Sequence, residues 1–149
     1  MYFCTKQKGV TIEEIQNEII DEFSLFDDWM QRYEYMIDLG KSLPLISDQY
    51  KTEDNLIKGC QSKVWVHAEL EDDKVVFTAD SDAIITKGII AILIRVFSNQ
   101  HPKAIIDADM GFIDDIGLKE HLSPTRANGL VSMIKQIKMY ALAYQTQLN

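Results

Sequence analysis

Apolar residues between positions 11 and 40 recur at intervals of three and four, which is the spacing of amphipathic helices. Thr11 and Glu14 occupy the two positions of a capping box, so a helix is predicted to begin just after Thr11. A second helix is predicted after Asp27 and Asp28, and Gly40 is its expected stop. Its apolar stripe consists of Trp29, Met30, Tyr33, Met36 and Ile37.

The periodicity changes twice in the middle of the chain. Residues 41–59 follow neither the helical nor the strand period, which predicts a long loop with one helical turn at 52–56. A loop of this length in a small domain is usually functional or mobile. Residues 62–71 and 74–79 then alternate between apolar and polar, and they predict two strands joined by the polar turn 72–73.

The second half of the chain predicts three helices. Apolar residues cover most of the circumference between positions 84 and 97, so this helix is expected at the centre of the core, with residues 80–82 as its N-terminal cap. A short helix is predicted at 103–108, followed by a loop through Gly111 and Gly117. A last helix is predicted from Pro124, capped by Ser123. The order predicts one α+β domain, with helices packed on a small antiparallel β-sheet.

Charge and hydropathy exclude some classes of function. The 149 residues include 15 basic and 23 acidic side chains, a net charge of −8. This sign argues against nucleic acid or an anionic membrane as the main partner, because both require clustered Lys and Arg. The most apolar run, residues 88–94, is much shorter than the roughly 20 residues that span a bilayer. The first residues do not resemble a secretory signal, and the cytoplasm is the expected location.

The side chains that could bind a metal are few and scattered. Two cysteines, Cys4 and Cys60, cannot form an all-cysteine metal site or a disulfide framework of the secreted kind. An acidic cluster in a loop-rich region does not have the spacing of a calcium-binding loop; its members are Asp107, Asp109, Asp114 and Asp115. Glycine-rich phosphate loops and the G-x-S-x-G hydrolase motif are absent from the sequence. Neither a metal nor a cofactor is expected.

Cys60 is the strongest candidate for chemistry, because it lies where the irregular segment meets the first predicted strand. Gly59 gives the preceding backbone conformations that other residues avoid. Lys58 and Lys63 on either side would favour the nucleophilic thiolate. The alternative is that Cys60 is a small buried apolar residue. The local sequence leaves both interpretations open.

A base or partner for Cys60 is not evident in the sequence. Along a regular strand, His67 would lie roughly 20 Å from Cys60, too far for proton transfer. His121 precedes the last predicted helix and could approach Cys60 only through the fold. Arg126 lies in the first turn of that helix, where the helix dipole disfavours a cation. It is therefore either a surface arginine or the partner of a specific carboxylate, in this chain or another protein.

Three separated motifs resemble the SufE family of sulfur acceptors, which work with cysteine desulfurases in iron–sulfur cluster assembly. The motifs are GCQSKVW at 59–65, DSDA at 80–83 followed by KGIIA at 87–91, and HLSPTRANGL at 121–130. The resemblance covers approximately residues 11–145. It implies a SufE-like domain at 11–149, with a fold shared by IscU-like scaffolds, while residues 1–10 form an N-terminal extension that is expected to be flexible.

The resemblance also implies a function. Cys60 would take persulfide sulfur from a PLP-dependent, SufS-like cysteine desulfurase, stimulate that enzyme, and pass the sulfur to a SufBCD-like scaffold complex. The protein would be a partner and activator without a cofactor of its own, and a homodimer is possible. Family structures hold the cysteine in an apolar pocket under a movable loop, a movement that segment 41–59 is expected to supply. The residues expected to support Cys60 or bind the partner are Gly59, Gln61, Asp82, His121 and Arg126.

Two other functions remain open at this stage. An iron–sulfur scaffold that binds iron itself would need several cysteines, whereas Cys60 stands apart from Cys4. A stand-alone thiol protein, such as a peroxidase or a cysteine hydrolase, would need a resolving cysteine or a neighbouring histidine.

Overall fold

The computed structural model, which describes residues 10–60 and 62–148, consists of six helices and one antiparallel hairpin. The helices are α1 (Ile12–Ser24), α2 (Trp29–Lys41), α3 (Ile84–Phe97), α4 (Pro102–Asp107), α5 (Gly111–Asp115) and α6 (Pro124–Leu148), and the strands are β1 (Val64–Glu71) and β2 (Lys74–Ser81). Single 3₁₀ turns occupy Asp48–Tyr50, Glu53–Asn55 and Lys119–His121. The predicted α+β class is confirmed. None of the described helices combines the length and the apolar character needed to cross a membrane.

The helix starts follow the predicted capping chemistry. Thr11 Oγ1 accepts a hydrogen bond from the Glu14 amide, and Glu14 Oε1 accepts one from the Thr11 amide, which confirms the capping box. Asp28 caps α2 by accepting from the Gln31 amide at 2.9 Å. Pro124 is the first residue of α6, and the Ser123 hydroxyl accepts a hydrogen bond from the Arg126 amide at 3.3 Å. The predicted loop after residue 108 is partly wrong, because α5 lies within it.

The hairpin is regular along its whole length. β1 and β2 pair from Val64 opposite Ser81 to Glu71 opposite Lys74, and Asp72 in the two-residue turn has the positive φ of 59° that such turns require. Alternate side chains of both strands are buried, and β2 contacts α3. The hairpin therefore turns one apolar face towards the helices.

Helix α3 lies at the centre of the core, as its apolar circumference predicts. Ten of its residues are buried, and it contacts α1, α2, α6 and β2. Its closest approach is to α2, where Gly40 and Gly88 face each other. Gly40 does not end α2, which continues to Lys41. The predicted end of α2 is correct to within one residue, but Gly40 lies inside the helix and serves the close packing of α2 and α3.

Segment 41–59 is irregular but is held along both strands. The Ile46 amide donates to the Ala79 carbonyl at 3.1 Å, and the Ala79 amide donates to the Pro44 carbonyl at 3.0 Å. The Ile57 amide donates to the Val64 carbonyl at 2.8 Å. The predicted helical turn is present as a 3₁₀ turn. Lids come from weakly bonded parts of a fold. Because these hydrogen bonds tie the segment to both strands, the segment as a whole does not resemble a lid.

Two tyrosines of α6 contact the outer edge of β1. The Tyr140 hydroxyl lies 3.0 Å from the Val66 carbonyl oxygen and 2.6 Å from Asn55 Oδ1. The Tyr144 hydroxyl donates to the Ala68 carbonyl at 2.9 Å. The long last helix is thereby tied to the strand that begins just after Cys60.

Candidate functional site

The Gly59–Cys60 turn holds the thiol against helix α6. Gly59 has a φ of +88°, in the left-handed region that side chains disfavour, so the sequence needs glycine here. The Cys60 Sγ lies 3.8 Å from the carbonyl oxygen of Gly129, at the limit of a weak S–H hydrogen bond. The thiol is half-buried. The predicted reactive cysteine is therefore withdrawn between the turn and the helix.

A small cavity adjoins the thiol. Its residues come from the cysteine turn, α3 and α6, and they are Cys60, Ser62, Thr86, Ile89, Thr125, Arg126, Gly129 and Met133. The volume within which the centre of a water-sized sphere can lie is about 10 Å³. A single water molecule needs roughly 10–15 Å³ by this measure. The cavity therefore has room for approximately one heavy atom beyond the cysteine sulfur.

Burial raises the pKa of the Cys60 thiol. The prediction that the neighbouring lysines favour the thiolate is wrong for this conformation. Lys58 forms an ion pair with Glu53 instead, at 2.6 Å between Nζ and Oε2. Lys63 is exposed, and burial is the cause of the shift in the thiol pKa. Cys60 is thus largely protonated near neutral pH while it stays in this position.

The raised pKa predicts a pH dependence of both reactivity and stability. Alkylation of Cys60 by iodoacetamide should rise with pH to a midpoint above that of the same peptide in urea, because the thiolate is the reactive form. Since the unfolded chain releases this proton first, the stability that the thiol contributes is present below the unfolded pKa. It is lost as pH rises through the folded pKa. Peptide mass spectrometry resolves Cys60 from Cys4, and equal midpoints would contradict the burial of the thiol.

Asp82 holds the chain just beyond the cysteine. Its Oδ1 accepts a hydrogen bond from the Lys63 amide at 3.0 Å, and its own amide donates to the Lys63 carbonyl at 3.2 Å. The prediction that residues 80–82 cap α3 is wrong. The N-cap residue is Ala83, which makes no side-chain cap, and the Ser81 hydroxyl accepts from the Ala83 amide. Asp82 instead fixes the end of the cysteine turn where it enters β1.

Asp82→Ala should loosen this turn. Loss of one such hydrogen bond costs about 1 kcal/mol, and the exposed site limits the effect on the free energy of unfolding. The Cys60 alkylation rate should increase several-fold, because the exposed conformation of the turn becomes more populated. Asp82→Asn is the matched control, since its amide oxygen keeps an acceptor at the same place. Equal alkylation rates of the alanine variant and the wild type would show that Asp82 does not hold the turn.

His121 lies in a different environment from the cavity. Its ring stacks on Trp29 at 4.0 Å between centroids, and its Nδ1 lies 3.0 Å from the Gly117 carbonyl oxygen. The Tyr33 hydroxyl donates to the His121 carbonyl. Across residues 10–60 and 62–148, no histidine lines the cavity, so the structure does not form a Cys–His dyad.

Arg126 lines the cavity from the first turn of α6 and is exposed. Among the described residues it has no ion-pair partner, so none of them is the carboxylate that one of the two alternatives required. Gln61 lies outside the described residues, as do Cys4 and residues 1–9 of the predicted extension. Within the described part of the chain, no three His, Cys, Asp or Glu side chains are grouped as a metal site requires.

Three groups that surround the thiol were not predicted from the sequence. Thr86 and Met133 are buried and line the cavity, and the backbone of Gly129 contacts the sulfur. A signal for Gly129 was present, because a glycine inside a predicted helix is unfavourable unless a close approach requires it. For Thr86 and Met133, the helical period shows burial but does not show which neighbour they face.

Comparisons with known proteins give consistent results. The model of a family described as SufE, Fe-S metabolism associated domain, matches residues 17–141. An uncharacterized SufE-like protein of Rhizobium meliloti (strain 1021) is 43% identical over 130 residues, which is 84% of this chain and 93% of the relative. One from Rhizobium etli is 39% identical over 127 residues, covering 82% and 86% of the two chains.

A solved structure is similar in fold. The solution structure of a hypothetical protein from Thermus thermophilus superposes with a TM-score of 0.75 at 20% sequence identity. The match covers 89% of this chain and 96% of that one. At this level of identity, the likeness supports the architecture of helices on a hairpin.

Proposed function

The chain belongs to the SufE family, which is associated with iron–sulfur metabolism, and we propose that it accepts persulfide sulfur on Cys60 from a cysteine desulfurase. The observation that carries this proposal is a half-buried thiol beside a cavity with room for about one more atom. A persulfide adds one sulfur atom to a cysteine. The cavity would therefore shelter the product of the transfer from solvent and oxidants.

The transfer is a thiolate attack on a sulfur–sulfur bond. The Cys60 thiolate attacks the terminal sulfur of the desulfurase persulfide, a new S–S bond forms on Cys60, and the desulfurase cysteine leaves as a thiolate. The proton lost by Cys60 balances the one that the desulfurase cysteine regains. No external oxidant or reductant is consumed, because the same S–S bond type is broken and formed. A second attack, by a thiol of an iron–sulfur scaffold complex, would remove the sulfur.

The withdrawn thiol must leave its position before it can react. Burial raises its pKa, so movement of the Gly59–Cys60 turn into solvent would both expose the sulfur and favour its ionisation. Docking of a PLP-dependent, SufS-like desulfurase would select this exposed state. Arg126 at the mouth of the cavity is available to bind a carboxylate of that partner.

The remaining residues have supporting roles in this proposal. Gly59 allows the backbone of the turn, Asp82 holds its end, and His121 fixes the segment before α6. Gln61, next to the thiol in sequence, is proposed to contact the partner. The protein would act in the cytoplasm as an acceptor and activator rather than as an enzyme by itself, either alone or as a homodimer.

Incubation with a PLP-dependent cysteine desulfurase and radiolabelled cysteine tests the proposal. Label should appear on this chain in a non-reducing gel, dithiothreitol should release it, and the release of sulfide by the desulfurase should increase. Omission of the desulfurase is the control, and it should leave the chain unlabelled. Label that stays on the desulfurase alone would reject the acceptor role. Stoichiometric iron in the protein as isolated would favour a scaffold instead.

A further inference from the structure

Gly129 occupies an unusual place for a glycine. It lies in the 25-residue helix α6, where glycine destabilises a helix relative to alanine. A Cβ atom at this position would lie 3.2 Å from the Cys60 Sγ, 3.7 Å from its Cα and 3.8 Å from its Cβ. The first of these distances is shorter than an ordinary contact between non-bonded heavy atoms. The Cys60 thiol therefore lies against the place where a side chain at residue 129 would begin.

The next turn of the helix makes a second contact with the same segment. A Cβ at Gly59 would lie 3.0 Å from the Ser132 Oγ. Gly129 and Ser132 thus form a thiol seat, on which the two residues of the cysteine turn rest. An additional carbon at Gly59 or Gly129 would make a tight contact with the facing side chain, which would have to shift.

A side chain at residue 129 would displace the Cys60 thiol from its withdrawn position rather than the helix, because the sulfur is the only atom of Cys60 closer than an ordinary contact. Helix α6 is anchored on its buried face by Leu130, Met133 and Ile137, each with at most 1% of its surface exposed. Gly59 is exposed and Cys60 is only half-buried. The weakly packed partner of a tight contact is the one that moves, because fewer favourable contacts are lost.

We propose that Gly129 is a positioning residue, which sets the fraction of molecules in which Cys60 is withdrawn into the thiol seat. It acts by the absence of a Cβ: the thiol fits against the helix only when that space is empty. A larger residue would shift the turn towards the exposed conformation. The significance for sulfur acceptance rests on the proposed function of Cys60, whereas the positioning itself does not.

Gly129→Ala tests this inference. The Cys60 alkylation rate should rise at least about fivefold, the fold-change that corresponds to the lower end of typical overpacking costs. The pH midpoint of alkylation should fall towards that of the unfolded chain, because burial is what raises it. The urea midpoint should stay the same or increase, since alanine is the better helix former. Peptide mass spectrometry reports each cysteine separately.

Val131→Ala is the matched control, because Val131 is half exposed on the same helix and does not line the cavity. It should gain similar helix propensity without any change in Cys60 alkylation. Wild-type alkylation and a wild-type pH midpoint in Gly129→Ala would overturn the proposal. A fall in global stability without faster alkylation would also overturn it, because the helix would then have moved instead of the turn.

Alkylation involves no desulfurase, so this test fails independently of the sulfur-transfer test. Faster alkylation of Gly129→Ala in a protein that takes up no label would support the positioning role and reject the acceptor role. If the desulfurase labels the wild type, Gly129→Ala should take up label faster at low desulfurase concentration, where the rate is proportional to the fraction of molecules with an exposed thiol.

Discussion

Cys60→Ser is expected to reduce the transfer of labelled sulfur to this chain below detection, a loss of at least about a hundredfold. Serine keeps nearly the same shape, so the turn and its seat on α6 should be retained. Its hydroxyl cannot form a stable sulfur–sulfur bond, and at neutral pH it is a far weaker nucleophile than a thiol. The measurements are radiolabel on the chain and the stimulation of sulfide release by the desulfurase.

Cys4→Ser is the control for this experiment, because it removes the other thiol of the chain. It should accept label at the wild-type rate. Urea unfolding curves of both variants should overlap with that of the wild type, since Cys60 is not part of the fully buried core. Label that persists in Cys60→Ser and disappears in Cys4→Ser would show that Cys4, and not Cys60, accepts the sulfur.

Among glycine-to-alanine substitutions at the described glycines, Gly88→Ala should cause the largest loss of stability. A Cβ at Gly88 would lie 2.4 Å from the Met36 carbonyl oxygen and 2.8 Å from its carbonyl carbon, both in the backbone of α2. Backbone atoms cannot rotate away, so α2 and α3 would have to separate in the middle of the core. The expected cost is on the order of 3 kcal/mol, although alanine is the better helix former. This corresponds to a Tm lower by about 6–12 °C for a chain of this size.

Gly111→Ala is the matched comparison. The nearest atom to its Cβ is Asp109 Oδ2 at 3.1 Å, the flexible end of an exposed side chain. The carboxylate can rotate away, so the free energy of unfolding should change by about 0.5 kcal/mol or less. Calorimetry or urea unfolding measures both variants. Similar stability of the two would show that the helices can separate at Gly88 without loss.

Local signals in the sequence predicted most of the architecture. The capping box at Thr11, the alternation on both sides of Asp72 and the apolar circumference of α3 all depend on neighbours within a few residues. Gly40 shows where this reasoning fails. Glycine both ends helices and permits helices to approach, and only the facing helix, far away in sequence, decides between these roles.

The family was predictable from the sequence, whereas the environment of the candidate cysteine was not. The motif around Cys60 and its resemblance to the SufE family pointed to the correct family. The adjacent lysines suggested a thiolate, however, whereas the structure buries the thiol against a helix that begins only at Pro124. Burial depends on which distant element covers the residue, so the direction of a pKa shift does not follow from adjacent charges.

The hydroxyls of Tyr140 and Tyr144 have a consequence for how this protein behaves at high concentration. A two-stranded sheet has two open sides, and unpaired backbone groups on either side can recruit another chain into a growing aggregate. Segment 44–46 and Gln100 pair with β2, and Ile57 pairs with the start of β1. Further along β1, the Tyr140 and Tyr144 hydroxyls lie within hydrogen-bond distance of the Val66 and Ala68 carbonyl oxygens. These edge contacts therefore shield the sheet from intermolecular pairing, and most of them lie outside the cysteine turn whose movement is proposed.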